Sequence, residues 1–159
     1  MNYLGAMEQN GIIVELARVI FMHRDAFKPD ITFDDIPNLD DHEYVGEIIW
    51  RITNNTQASI TWSHNDINVR VNERQIKLYD YLFGSFGVPP SDEIFSGSTI
   101  IGGVWFGIGN TKPDEIVSVS LLMGKPYNTD NHRDVADNFI VTADLSEGHT
   151  WYSMPDELK

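Results

Sequence analysis

The feature that limits this chain most is an alternation of apolar and polar residues, carried by short segments rich in Val, Ile, Trp and Phe and separated by turn residues. A pattern that repeats every second residue suits an extended backbone, whose successive side chains point to opposite faces. In residues 44–53, Ile48, Trp50 and Ile52 point one way while Glu47, Arg51 and Thr53 largely point the other. Residues 67–71 alternate Ile67, Val69 and Val71 with Asn68 and Arg70. Residues 116–123 alternate Val117, Val119, Leu121 and Met123 with Ser118 and Ser120.

Residues 12–21 are almost continuously apolar, interrupted by Glu15 and Arg18, and read as a strand buried on much of both faces. Leu16, Val19, Ile20 and His23 also fit helical spacing, but the β-branched content favours a strand. Residues 59–62 and 67–71 are either one strand broken by a bulge at His64-Asn65-Asp66 or two strands joined by a turn. Residues 75–83, 99–108 and 139–145 complete the set. Gly102, Gly103 and Gly107 imply a bulge or a close backbone approach inside the 99–108 strand. Residues 129–137 are the one stretch that looks able to form a short helix. Seven to nine strands, with turn signals at roughly ten-residue intervals, predict an all-β, single-domain antiparallel β-sandwich. The division expected is an N-terminal extension over residues 1–10, the sandwich over 11–145, and a polar tail over 146–159 that still carries Trp151 and Tyr152.

A length of 159 residues suits one domain, and such a chain buries roughly 70% of the surface it exposes when unfolded. It has no cysteine, which excludes disulfides, thiolate zinc and a thiol nucleophile. With 11 Lys or Arg against 24 Asp or Glu, the net charge is −13. Direct binding to nucleic-acid phosphates, which needs clustered basic residues, is excluded on that ground. No stretch approaches the roughly 18 apolar residues of a transmembrane helix. Residues 1–8 show no basic region followed by an apolar run, so no signal peptide is expected there. Localisation divides between the cell exterior or surface, if an export signal has been removed, and the cytoplasm.

The order of three segments resembles a family of immunoglobulin-like domains of unknown function found in bacterial surface lipoproteins and secreted antigens. They are the hydrophobic strand and polar turn at residues 47–56, the Ile67-Asn68-Val69 strand, and residues 94–106, where a Ser-Gly-Ser turn precedes a strand. The resemblance spans residues 11–145 and implies an immunoglobulin-like fold and a non-catalytic role, with no catalytic residues carried over. The chain departs from the family in lacking a cysteine for lipidation and in its long connection over residues 24–42.

Several groupings invite a chemical reading. Between Pro29 and Trp50 there are seven acids and no Lys or Arg. Asp34, Asp35, Asp40 and Asp41 could supply oxygen ligands to calcium, although the spacing is not that of an EF-hand and a solvated acidic loop accounts for the same residues. The histidines His23, His42, His64, His132 and His149 share no His-x-His or His-x-x-x-His spacing. His64 and His132 have carboxylate neighbours, as polar turns commonly do. Ser96-Gly97-Ser98 is not a nucleophile elbow, and the glycine pairs do not form a phosphate loop. No cofactor is expected. Aromatics are the most suggestive feature: Tyr79, Tyr81 and Phe83 would project from one face of a strand and, with Trp62, could form a partner-binding row. Inner-face packing would use the same residues.

The leading functional expectation is therefore a non-enzymatic interaction module that binds a protein or glycan through a sandwich face or a loop end. The alternative is an acidic inhibitor that imitates nucleic acid and occupies a basic groove, motivated by the base-free stretches 30–47 and 134–157. A third reading is a sugar hydrolase, which needs two carboxylates about 5–9.5 Å apart in a cleft.

Overall fold

The computed structural model of the chain describes residues 4–26, 39–77 and 82–146. In chain order its strands are β1 (Gly5–Gln9), β2 (Ile12–His23), β3 (Tyr44–Asn54), β4 (Ile60–Thr61), β5 (Ile67–Val71), β6 (Arg74–Lys77), β7 (Leu82–Gly87), β8 (Thr99–Gly109), β9 (Ser118–Met123), β10 (Tyr127–Asn128) and β11 (Phe139–Asp144). Single-turn 3-10 segments connect some of them, and there is no α-helix among the described residues.

Every strand pairing is antiparallel. Five strands form one sheet in the order β1-β2-β3-β8-β7, four form a second in the order β11-β9-β5-β6, and β10 pairs with β4. The alternating apolar residues explain why the two larger sheets share one core. Val14 and Leu16 of β2, Trp50 and Ile52 of β3, and Phe106 of β8 join Val69 of β5, Leu121 of β9 and Phe139 of β11 in a single buried cluster. The result is an all-β, sandwich-like fold.

Five local expectations are settled or revised. Gly5–Gln9, read from sequence as part of an extension, is an edge strand paired with β2. Its turn is Asn10-Gly11, with φ of 51° and 84°, the left-handed pair that a two-residue hairpin requires and that Asn-Gly adopts most readily. The two apolar segments flanking His64 are separate strands, because β4 pairs with β10 while β5 lies in the four-stranded sheet. Residues 75–83 are not one strand: β6 belongs to the four-stranded sheet and β7 to the five-stranded one.

No helix forms over 129–137. Asn128 Oδ1 accepts the N–H groups of Asp130 and Asn131, and Asn131 Oδ1 accepts that of Arg133. His132 adopts a φ of 55°. Asn side chains that bond nearby backbone compete directly with helix formation. The glycines of β8 show both anticipated effects: the register with β3 slips between the Tyr44–Gly109 and Val45–Gly107 pairs, and Gly107 is closely overlaid.

Candidate functional site

The outward face of the five-stranded sheet carries the most organised group of polar and aromatic side chains. Strict alternation along β2 would turn Arg18 inward with Val14 and Leu16. The register slips between Leu16 and Arg18, an extra residue that reverses the alternation. Glu15 therefore lies opposite Arg51, and Arg18 opposite Ile49, on the same outward side. On the other flank of β3, Arg51 faces Ile101 and Glu47 faces Trp105 of β8.

These positions form two charge pairs. Arg51 clasps Glu15 with two donors, Nε on Oε2 and Nη2 on Oε1, the latter at 3.1 Å. Arg18 Nη2 lies 3.8 Å from Glu47 Oε1, and Trp105 Nε1 donates to Glu47 Oε2 at 2.7 Å. The carboxylates are sunk, with side chains 8% exposed for Glu15 and 14% for Glu47, while Arg51 and Arg18 remain 37% and 34% exposed. Sunken carboxylates fix the guanidiniums at the surface and lower the entropy they lose when a partner docks. Beside them Ile101 is 58% exposed, and Val88, also exposed, donates its N–H to the Ile101 carbonyl at 3.1 Å. Two carboxylates and two guanidiniums make this ladder charge-balanced on a strongly acidic chain.

At one end of this sheet His42 is buried. Its Nδ1 accepts the Gly109 N–H at 2.8 Å, so Nδ1 is the unprotonated nitrogen of the neutral ring. The imidazole lies against Gly107, where any Cβ would collide with it; glycine is required by that approach. Burial pushes the His42 pKa below its ordinary value, the Asp41 carboxylate pulls it up, and the Arg74 guanidinium pushes it down.

The residues singled out in the sequence do not assemble into one site. Trp62 is 1% exposed; its Nε1 donates to the Gly124 carbonyl at 2.8 Å and its ring meets Phe139 edge-on. It is a core residue and no part of a surface row. Tyr79 and Tyr81 lie outside the described residues, as does the side chain of Phe83, whose backbone is in β7. Asp34 and Asp35 also lie outside them. Asp40 and Asp41 are exposed, and the Asp40 carboxylate accepts from Arg24 Nη1 at 3.3 Å. Among the described residues no group of three or more His, Asp or Glu side chains is placed to hold a metal ion. No described helix is long and apolar enough to cross a membrane.

No protein-family model and no curated protein matches the chain. Its fold is similar to that of a functionally unknown protein from Listeria monocytogenes, with a TM-score of 0.53 at 11% identity over 87% of this chain and 79% of that one. A candidate lipoprotein from Bacillus subtilis gives a TM-score of 0.49 at 11% identity over 87% of this chain, which spans 38% of the lipoprotein. The likeness to the Listeria protein describes fold alone and leaves the site to be read from its own residues.

Proposed function

We propose that the chain is a non-catalytic binding module, an immunoglobulin-like sandwich that docks a protein partner on the outward face of its five-stranded sheet. The supporting observation is the ladder of Glu15–Arg51 and Arg18–Glu47–Trp105 beside exposed Ile101 and Val88. Trp and Arg at the surface, with an apolar neighbour, are the side chains in which interface binding energy concentrates. A glycan platform would instead present a flat aromatic ring with its polar edge available, whereas the Trp105 N–H is committed to Glu47.

The test is a photo-crosslinking amino acid placed at position 101, or at position 140 on the outward face of the other sheet, followed by exposure to extracts of the source organism. A discrete adduct from position 101, absent from position 140 and competed by the unmodified protein, is the expected result. Equal labelling at both positions, or none at 101, refutes the assignment. Salt separates this reading from the acidic-inhibitor one. Binding through the charge-balanced ladder and its apolar neighbours survives a rise from low to high ionic strength, whereas mimicry of nucleic acid weakens steeply.

A further inference from the structure

Away from that ladder, a half-open cleft of about 240 Å³ lies between the β5–β6 hairpin and the end of β8. Val71, Ile76 and Ile108, all buried side chains, form its apolar floor, and Glu73, Arg74 and Thr111 stand at its rim. The hairpin is held in place by Asn72, whose Nδ2 donates to the Glu115 carbonyl at 2.9 Å and whose Oδ1 accepts the Val117 N–H at 2.8 Å. The cleft is thus a feature of anchored backbone.

Arg74 gives the cleft its chemistry. Among the described residues its side chain makes no ion pair and no hydrogen bond. Its Nη1 lies 3.7 Å from where a Cβ on Gly109 would stand, so the guanidinium rests over side-chain-free backbone at the mouth of the cleft. A chain with 11 Lys or Arg against 24 acids has carboxylates in excess to pair with every cation, yet this one is left for solvent. A guanidinium presents two parallel donors that match a carboxylate. One guanidinium balances a monoanion and not a dianion such as phosphate, and the Glu73 carboxylate at the same rim works against any bound anion.

We propose that this cleft binds a monocarboxylate with an apolar tail, the carboxylate on Arg74 and the tail over Val71, Ile76 and Ile108. Scaling from a 150 Å³ cavity that holds benzene, the cleft takes about ten non-hydrogen atoms, the size of octanoate.

Methyl-resolved NMR titration of the full chain tests this with octanoate, acetate, octanol and octylammonium as probes. Octanoate is expected to shift the Val71, Ile76 and Ile108 methyl signals saturably, with acetate and octanol each at least about tenfold weaker because one lacks the tail and the other the charge. Arg74→Gln, at an exposed position that leaves the fold intact, weakens octanoate by about tenfold or more, and Glu73→Gln strengthens it. The proposal is overturned if those methyls do not shift saturably, if octylammonium binds as well as octanoate, or if Arg74→Gln leaves the affinity unchanged.

Discussion

Replacing Asn54 with Ala should be among the most damaging single polar substitutions in this protein, and the size of the loss follows from its bonds. Asn54 is 0% exposed at the end of β3, and all four hydrogen-bonding capacities of its amide are used. Nδ2 donates to the Ala58 carbonyl at 2.8 Å and to the Ile94 carbonyl at 2.9 Å. Oδ1 accepts the Thr56 N–H at 3.0 Å and the Thr56 hydroxyl at 2.7 Å. After truncation the Ile94 carbonyl keeps the Ile60 N–H and the Ala58 carbonyl keeps the Thr56 hydroxyl, so each loses a second bond worth about 0.5–1.5 kcal/mol. The Thr56 N–H loses its partner, which costs about 1–3 kcal/mol. The sum centres on about 4 kcal/mol, a fall of about 2 M in the urea midpoint at an m-value near 2 kcal/mol/M. Asn54→Asp should be at least as harmful at neutral pH, since it turns a carboxylate oxygen toward two carbonyls. Equilibrium urea unfolding followed by tryptophan fluorescence measures both variants. A midpoint shift under about 0.5 M with unchanged m would refute the view that this amide ties the β3 turn to the segment before β8.

Four other substitutions probe the hairpin and the buried imidazole. Because burial keeps His42 neutral in the folded protein while the unfolded chain takes up a proton near pH 6.5, stability is present above that pH and falls as pH drops below it. His42→Gln should flatten the dependence, as urea midpoints at pH 7.5 and 5.0 would record. Gly107→Ala should cost about 1–3 kcal/mol by overpacking against the imidazole; the loss should be smaller when His42→Ala is present, and a double-mutant cycle that comes out additive would contradict the contact. Gly11→Ala, at a φ of 84°, should lower stability by about 1–2 kcal/mol, read by thermal unfolding.

The strands of the core were legible because one face of each is buried. Ile48, Trp50 and Ile52, or Val119, Leu121 and Met123, cannot alternate as they do and serve a helix. The strand β1 escaped because Gly-Ala-Met-Glu-Gln has little β-branched character, although its Asn10-Gly11 turn was a readable hairpin signal. The stretch after Asn128 escaped because side-chain bonds to local backbone replaced the helix. The outward ladder was half visible: Glu47 and Arg51 could be placed on the polar side of β3, and Glu15 and Arg18 stood out in an apolar run. Their pairing depends on the extra residue between Leu16 and Arg18, and no local pattern announces a one-residue slip. Trp62 misled because an aromatic residue in sequence carries no sign of whether it faces inward.

The edge strand β1 packs beside β11, and its end is tied there by Gln9, whose side chain donates to the Asn138 carbonyl across 129 positions and accepts the Asp137 N–H. On the ribosome the β1–β2 hairpin is made well before its neighbour β11. Vectorial synthesis thus leaves an early, bare sheet margin waiting on late material, and loop closure over such a separation is slow. Throughout that interval the β1 margin lacks the cover of β11 and lies open to any passing strand, so the nascent chain is most exposed to pairing with its copies before β11 is made.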